Sequence, residues 1–345
     1  MKKLQSYDDV MSSLVRKKRI PNLLLGNGFS MAYDPKIFSY NALYNFIGKI
    51  NDPILKALFE VTKTQNFEVV MQQLDATCRL LEVFATDQGL IEQIESKRQT
   101  LENSLVDAVQ SMHPEHVFKI NESERRKCAD FLSPYLEQGG HVFSTNYDLL
   151  LYWVEVGSKE LDGKCIDGFG KDRLNEDEPH EDPVYSELIW GPNRSQQNTH
   201  HLHGTLSIFD KGVKIVKETY DGSWLLDNIR DRMKNKQYPV FVASGNADDK
   251  LNVIKHNPYL TACYDALCNA KGSLITFGFS FGDSDDHIID AINLACSKKR
   301  HHYEKLWSVY IGVYDDTAKQ HIESIKHKFQ CKVNLFDAKT VNIWR

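Results

Sequence analysis

The chain has 345 residues, of which 41 % are hydrophobic and 26 % are charged. This composition is typical of a globular protein, and the length allows one large α/β domain or two ordinary domains. The 47 acidic residues outnumber the 42 lysines and arginines and give a formal net charge of −5. This charge disfavours direct binding of nucleic acid or of an anionic membrane, and it favours a small ligand.

The apolar runs and the cysteines of the sequence indicate the cellular compartment. No uninterrupted apolar run reaches the ~18 residues that span a bilayer, and the N-terminal residues lack the apolar segment of a signal peptide. The seven cysteines are scattered and odd in number, which predicts reduced thiols rather than a disulfide framework or a four-thiolate zinc site. We therefore expect a cytoplasmic protein without a membrane segment.

The N-terminal part of the chain combines one short strand with a long helical region. Residues 8–18 predict a helix, and the apolar run 22–25 between Pro21 and Gly26 predicts a buried parallel strand. From about residue 40 to 138, apolar residues recur at helical spacing. We therefore expect a large helical insertion after the first strand and its turn.

Strand patterns return at residues 141–145 and alternate with helices in the C-terminal third. Residues 155–197 are rich in Gly, Asp, Glu and Pro and predict a loop-rich insertion. Further strands are predicted at 188–190, 199–206, 213–216, 238–243, 273–277, 306–313 and 332–336, and helices at 285–298 and 317–329. The alternation predicts a single α/β domain over residues 1–345, with a Rossmann-like, mostly parallel sheet and helices on both faces.

The first candidate site segment is a glycine-rich turn after the first strand. Its residues are Gly26, Asn27, Gly28, Phe29 and Ser30. Glycine lets a backbone approach a phosphate closely, and a helix that starts here directs its N–H groups at a pyrophosphate. Met31 occupies the place of the third glycine in the dinucleotide fingerprint, so the pattern is not that of an ordinary dehydrogenase. A tight structural turn explains the glycines equally well.

The second candidate segment follows the predicted strand 141–145. Thr145, Asn146 and Asp148 stand at the C-terminal end of this strand, where ligands bind in open α/β sheets. An amide and a carboxylate two residues apart can fix a ribose hydroxyl and a carboxamide. In the alternative interpretation, Asn146 or Asp148 caps the helix that starts near Leu149.

The third candidate segment contains His200, His201 and His203, followed by Gly204. On a strand, His201 and His203 share one face while His200 points away, and no carboxylate at a metalloprotease spacing accompanies them. The pattern therefore argues against a metal site. A histidine before a glycine at a strand end suits a general base near a sugar hydroxyl or a water. A buried, hydrogen-bonded histidine is the better interpretation of His201.

The fourth candidate segment follows the predicted strand 273–277. Gly278, Phe279 and Ser280 form a second Gly-x-Ser turn, in which the glycine and the serine are candidates to hold a phosphate or a ribose. Asp283 or Ser284 is an equally good N-cap for the helix that follows.

The order of the four segments resembles that of the sirtuin superfamily: a glycine-rich turn, a Thr-x-Asn-x-Asp turn, His-Gly, and then Gly-x-Ser. Asn27, the Thr-Asn-Tyr-Asp form of the second segment and the Gly-Phe-Ser-Phe-x-Asp form of the fourth are most similar to sirtuin-like proteins of bacterial antiphage defence. The match consists of short islands between residues 23 and 288. It implies a sirtuin-like catalytic domain that uses NAD.

The resemblance implies hydrolysis of NAD to nicotinamide and ADP-ribose, with NAD as the substrate and no metal. In this interpretation His203 is the general base, Asn146 positions the water or the ribose, and Asp148 contacts the carboxamide. The first turn cradles the pyrophosphate, and the fourth segment holds the adenosine ribose. The implied cofactor-binding residues are Gly26, Asn27, Gly28, Phe29, Ser30, Thr145, Gly278, Phe279 and Ser280.

Two departures separate the chain from sirtuin deacylases. It lacks the two Cys-x-x-Cys pairs of their zinc module, and residues 33–40 replace the Gly-Ile-Pro-Asp-Phe-Arg stretch after their first turn. Both departures argue against acyl-lysine chemistry, so an NAD-dependent deacylase is the weaker alternative. The other alternative is a non-catalytic sensor of an NAD-derived nucleotide. The presence of both Asn146 and His203 favours catalysis over sensing.

The resemblance also implies regulation. Uncontrolled NAD hydrolysis kills the host, so we expect an effector of abortive infection that stays silent until it is triggered. Such effectors are switched on by oligomerisation, a signalling nucleotide or a partner protein, so we expect a homo-oligomer or a complex with a separate sensor subunit. The helical insertion and the acidic segment 172–182 are the candidate control surfaces, and a solvated charged loop explains the acidic residues as well.

Overall fold

The computed structural model describes residues 4–35, 52–62, 67–84, 88–111, 119–171, 188–219, 224–235, 237–242, 246–297 and 305–344. Its helices are α1 (Tyr7–Arg16), α2 (Asn27–Tyr33), α3 (Pro53–Val61), α4 (Phe67–Val83), α5 (Gln88–Ser111), α6 (Glu122–Glu137), α7 (Leu150–Gly157), α8 (Leu225–Lys234), α9 (Ala247–His256), α10 (Pro258–Cys268), α11 (Asp286–Ala295) and α12 (Asp316–Ile325). Its strands are β1 (Pro21–Leu25), β2 (Val142–Ser144), β3 (Phe169–Gly170), β4 (Leu188–Trp190), β5 (Thr199–His201), β6 (Gly204–Asp210), β7 (Ile215–Lys217), β8 (Pro239–Phe241), β9 (Gly272–Phe277), β10 (Leu306–Val313) and β11 (Lys332–Asp337).

Six strands form one sheet in the order β11-β10-β9-β1-β2-β5. Every neighbouring pair in this sheet is parallel. Strand β1 therefore lies inside the sheet, between β9 and β2. Helices connect the parallel strands and cover the sheet, so the predicted Rossmann-like α/β fold is confirmed.

Strand β1 shows how the sequence builds this sheet. Leu23, Leu24 and Leu25 are fully buried. Leu23 and Leu25 belong to a core that includes residues of α1 and α6, whereas Leu24 belongs to the core on the other face, with residues of α10 and α11. A strand buried on both faces needs a continuous apolar run, and that run is the feature that predicts it.

The chain between α2 and β2 is helical where it is described, as predicted for the insertion at about 40–138. Buried Leu55, Val70 and Leu101, from α3, α4 and α5, belong to the same core as Leu23. The start of the predicted insertion, 40–51, and the candidate control segment 172–182 lie outside the described residues. Among the described helices, none has both the length and the apolar character needed to cross a bilayer.

A second sheet of five short antiparallel strands has the order β3-β4-β7-β6-β8. The prediction of one strand over 199–206 is wrong, because β5 ends at His201 in the parallel sheet and β6 begins at Gly204 in the second sheet. Gly204 has a φ of +78°, and a Cβ there would lie 1.9 Å from the Val240 carbonyl oxygen. The chain therefore turns at a position that requires glycine, with His203 in the turn.

Candidate functional site

The C-terminal ends of four neighbouring strands lie level at one edge of the parallel sheet. Leu25 of β1 pairs with Phe277 of β9 and with Ser144 of β2, and Ser144 pairs with His201 of β5. The first, second and fourth candidate segments follow β1, β2 and β9, and the third includes the last two residues of β5 and the turn after it. Open α/β sheets bind ligands at this edge. The fold therefore brings the four segments, which are far apart in sequence, to neighbouring strand ends.

The first and fourth segments pack backbone against backbone. The Gly26 N–H donates to the Phe277 oxygen at 3.0 Å, and the Gly28 N–H donates to the Gly278 oxygen at 2.8 Å. Gly278 has a φ of +71°, and a Cβ on Gly26 or on Gly28 would lie 2.6 Å from backbone atoms of the fourth segment. Close packing of the two turns therefore requires these glycines, and the Gly28 N–H is engaged within the fold.

A hydrogen-bonded cluster joins the first and second segments. Asn146 Nδ2 donates to the Ser30 hydroxyl at 2.9 Å and to the Gly26 oxygen at 3.1 Å. Ser30 Oγ in turn donates to Asp148 Oδ2 at 2.6 Å. Asp148 Oδ1 accepts the Leu150 N–H, the first of α7, at 2.9 Å, but Leu149 is the N-cap residue, so the alternative that Asn146 or Asp148 is the N-cap is wrong. Ser30 is fully buried, and in this arrangement its hydroxyl is engaged within the protein.

The pKa of the Asp148 carboxyl group is close to neutral pH. Burial raises its pKa to about 6, although the hydrogen bonds from Ser30 and from the Leu150 N–H act in the opposite direction. A carboxyl group with such a pKa at a strand end is a candidate functional group. In its ionised form it accepts hydrogen bonds only, so it can bind the NH₂ of a carboxamide.

The other predicted cofactor-binding residues differ in exposure. Thr145 is buried, and both its N–H and its hydroxyl donate to the carbonyl oxygen at the end of β1. Phe29 and Phe279 are buried, whereas Ser280 is exposed and Asn27 is partly exposed. The Nδ2 atom of Asn27 is buried and finds no hydrogen-bond partner among the described residues. Asn27 and Ser280 are therefore the side chains best placed to contact a ligand.

The three clustered histidines have three different environments. A ring nitrogen of His200 lies 2.9 Å from one of His141, and the His200 ring stacks on Phe143. His201 is buried, as predicted, and burial lowers its pKa to about 4, but its Nδ1 atom finds no hydrogen-bond partner among the described residues. His203 lies in the turn between the two sheets. The three rings therefore lie in different surroundings.

His203 belongs to a buried polar cluster with Lys250, Asp285 and His287. Its Nε2 atom lies 2.9 Å from His287 Nε2, and the ring centroids are 5.2 Å apart. Lys250 Nζ donates to Asp285 Oδ1 at 2.7 Å. Each of the four residues is at most 5 % exposed. His203, Asp285 and His287 each place one nitrogen or carboxylate oxygen within 4.8 Å of the others, the spacing that allows a shared metal ion.

Both rings of this cluster are neutral at pH 7. Burial is the main cause that lowers the pKa of His203 to about 3, and the positive charge of Lys250 acts in the same direction. Burial also lowers the pKa of His287 to about 3. The His203 ring therefore has a lone pair that can accept a proton, but in this arrangement it binds the proton weakly.

Lys250, Asp285 and His287 are absent from the predicted site. The prediction that Asp283 or Ser284 caps α11 is wrong, because a 3₁₀ turn over Asp283–Asp285 precedes the helix and Asp285 becomes its N-cap residue. The Asp285 side chain bonds Lys250 and caps no helical N–H. The Asp-x-His spacing at 285–287, just after the fourth segment, is a signal that can identify two of these residues. Lys250 has no such signal.

The parallel sheet and the polar residues at its C-terminal edge define a Rossmann-like α/β protein with a candidate ligand site. The chain belongs to the family described as a domain of unknown function (DUF4917), whose model matches residues 23–344. The matched range includes all four candidate segments and the His203 cluster. No curated protein matches the chain.

Proposed function

We propose that the protein is an NAD hydrolase, which cleaves the bond between nicotinamide and ribose and releases nicotinamide and ADP-ribose. The observation that carries this proposal is the level register of β9, β1, β2 and β5, because it places all four sirtuin-like segments at one edge of the sheet. The resemblance to sirtuin-like proteins, which rests on the same four segments, supports it. A dinucleotide is long enough to contact several strand ends at this edge.

The residue types at this edge suit the reaction. The nicotinamide–ribose bond breaks through a state with oxocarbenium character, so the protein must hold the dinucleotide and place a water or a ribose hydroxyl. Asn146, after β2, positions that group, and His203, after the neighbouring strand β5, accepts its proton. General base catalysis of this kind contributes about 10² to 10⁴-fold. Asp148 binds the carboxamide, and the unpartnered amide of Asn27 donates to the bound dinucleotide.

The hydrogen bonds among these residues fit an enzyme at rest. His203 Nε2 is engaged by His287, and its low pKa makes it a weak base. Ser30 and the Gly28 N–H are also engaged within the fold. Activation must release these groups, as expected for an effector of antiphage defence that depletes NAD only after a trigger. The oligomer or sensor subunit implied by the resemblance is a means of supplying that trigger.

The test is nicotinamide release from NAD, followed by chromatography with and without candidate activating nucleotides. We expect His203→Ala and Asn146→Ala each to abolish most NAD cleavage while circular dichroism shows that both variants stay folded. The matched control is His256→Ala, which removes an exposed histidine of α9 and leaves turnover unchanged. Retained NAD cleavage in both site variants would contradict the proposed mechanism.

A second candidate function is a sensor that binds an NAD-derived nucleotide without cleaving it. The observation that favours it is the same contact between His203 and His287, since a ring held in this way serves a binding protein as well as a resting enzyme. Calorimetry with NAD and ADP-ribose separates the two functions. A sensor binds one of them and leaves NAD intact under every condition.

A further inference from the structure

We propose that His203, Asp285 and His287 bind a divalent transition-metal ion, and that the bound ion withdraws His203 from proton transfer. The first half of this proposal stands on the geometry of the cluster alone. The second half rests on the proposed NAD hydrolysis, because only there is His203 the general base.

The distance between the two rings is the first observation. His203 Nε2 and His287 Nε2 lie 2.9 Å apart, so at most one of these two nitrogens carries a proton. At least one therefore presents a lone pair to the other. Two nitrogens bound to one tetrahedral zinc ion lie about 3.3 Å apart when each Zn–N bond is about 2.0 Å. For the ion to enter between the rings, they must therefore separate by a few tenths of an ångström and turn both lone pairs towards it, and one proton must move to Nδ1.

The carboxylate is the second observation. Asp285 contributes an oxygen within 4.8 Å of one nitrogen of each ring, so the cluster offers two imidazoles and one carboxylate. Three such ligands with an open fourth position are the donor set of many zinc and non-haem iron sites. Imidazole nitrogen prefers zinc, cobalt, nickel, copper or iron to magnesium or calcium, which bind mainly oxygen. The ligand class is therefore a transition metal.

The support of the three ligands is the third observation. Lys250 Nζ donates to Asp285 Oδ1 and to the Ser284 hydroxyl, and these bonds hold the carboxylate in place. The Tyr264 hydroxyl donates to the His287 carbonyl oxygen and fixes the start of α11. Gly204 fixes the turn that carries His203. The ligands therefore come from rigid, buried parts of the fold.

Metal binding is tested by titration of chelator-treated full-length protein with Co²⁺, followed by its visible absorption, and with Zn²⁺ by calorimetry. We expect one tight site in the wild type. His287→Gln and Asp285→Asn weaken binding by more than the ~10 to 100-fold that an outer-shell change costs. The matched control is His321→Gln, because His321 bonds the Phe281 carbonyl oxygen in the loop before Asp285 and lies outside the cluster. Mg²⁺ in place of Co²⁺ gives no saturable binding at this site.

A wild-type measurement keeps the test valid where a variant does not fold. In crystals soaked in Zn²⁺, anomalous scattering places the ion within bonding distance of all three ligand atoms. Unchanged Co²⁺ affinity in folded His287→Gln, or an anomalous peak only at surface residues, overturns the site. A direct hydrogen bond between the two histidines is then the full account of the cluster.

The second half is tested by NAD cleavage with and without saturating Zn²⁺. We expect Zn²⁺ to suppress cleavage by about the 10² to 10⁴-fold that a general base supplies, with full recovery after chelation. In His287→Gln the ratio of activities with and without Zn²⁺ is close to one. Undiminished cleavage by zinc-loaded wild type overturns the inhibition and leaves the site standing. If NAD is never cleaved, the proposed hydrolase and its inhibition fail, and the Co²⁺ titration still decides the metal site.

Discussion

Ser30 Oγ donates to Asp148 Oδ2 at 2.6 Å, and this bond joins α2 to the turn after β2. The two residues are 118 positions apart in sequence, and the helical region of α3 to α6 lies between them. Asn146 Nδ2 reaches the same hydroxyl, so one serine holds two of the predicted catalytic residues. A rearrangement of the helical region that moves α2 or β2 therefore acts directly on the candidate site.

We expect Ser30→Ala to destabilise the protein by about 1–3 kcal/mol, because it removes one of the two hydrogen-bond donors to a partly buried carboxylate. The bond from Ser30 lowers the pKa of Asp148, so its removal raises that pKa above about 6. The loss of stability is therefore larger at pH 7, where Asp148 is ionised, than at pH 5, where it is protonated. Urea unfolding at the two pH values measures both effects.

The matched control for this variant is Ser133→Ala. Ser133 also donates to a carboxylate, at 2.9 Å from Glu137 Oε1, but this bond lies on the exposed side of α6. We expect its removal to change the free energy of unfolding by less than about 0.5 kcal/mol at either pH. Equal effects of the two substitutions would contradict the assigned role of Ser30.

Gly28→Ala tests the packing of the two glycine turns. The added Cβ would lie 2.6 Å from the Gly278 Cα, a backbone atom that moves only if the turns separate. We expect a loss of about 1–3 kcal/mol in the free energy of unfolding, as for other overpacked sites. The control is Gly282→Ala, because a Cβ on Gly282 meets no heavy atom within 4 Å and its backbone is extended with φ −65°. Denaturant unfolding of the two variants decides the point, and equal stability would exclude close packing as the reason for the glycine.

The sequence predicts those parts of the fold whose signals are local. The run Leu23–Leu25 predicts β1 because a strand buried on both faces must be apolar throughout. The contact between His203 and His287 spans 84 residues and depends on which strands become neighbours, so no local pattern predicts it. The end of the strand before Gly204 is not predicted for a similar reason. The residues around Gly204 are all compatible with a strand, and only the close approach of Val240 requires the turn.

Glu155 of α7 predicts how stability depends on pH. Burial and the charge of Asp167 raise the pKa of Glu155 to about 8, while Lys217 partly offsets them. The folded protein therefore binds more protons than the unfolded chain between pH 4.5 and 8, so the contribution of this group falls as the pH rises through that range. The slope is on the order of 1 kcal/mol per pH unit.

We expect Glu155→Gln to be more stable than the wild type at pH 8.5 and close to it at pH 5, because the amide cannot ionise. Thermal unfolding across this pH range measures the difference. Glu122→Gln, which changes an exposed carboxylate at the start of α6, is the control and leaves the slope as in the wild type. A Glu155→Gln profile parallel to the wild type would show that Glu155 does not carry this pH dependence.

Substitution of Trp344 tests which contacts stabilise the position of α2. Its Nε1 donates to the Phe29 carbonyl oxygen at 3.0 Å, and its ring contacts the Phe29 and Tyr33 rings at centroid distances of 5.2 and 5.1 Å. We expect Trp344→Ala to cost about 3–5 kcal/mol, because it leaves a cavity beside α2. Trp344→Phe keeps an aromatic ring and loses the hydrogen bond, so it costs less. The control Trp224→Ala removes a half-exposed tryptophan and costs less than about 1 kcal/mol in urea unfolding. A Trp344→Ala loss no larger than this control would mean that Trp344 does not anchor the helix that carries Gly28 and Ser30.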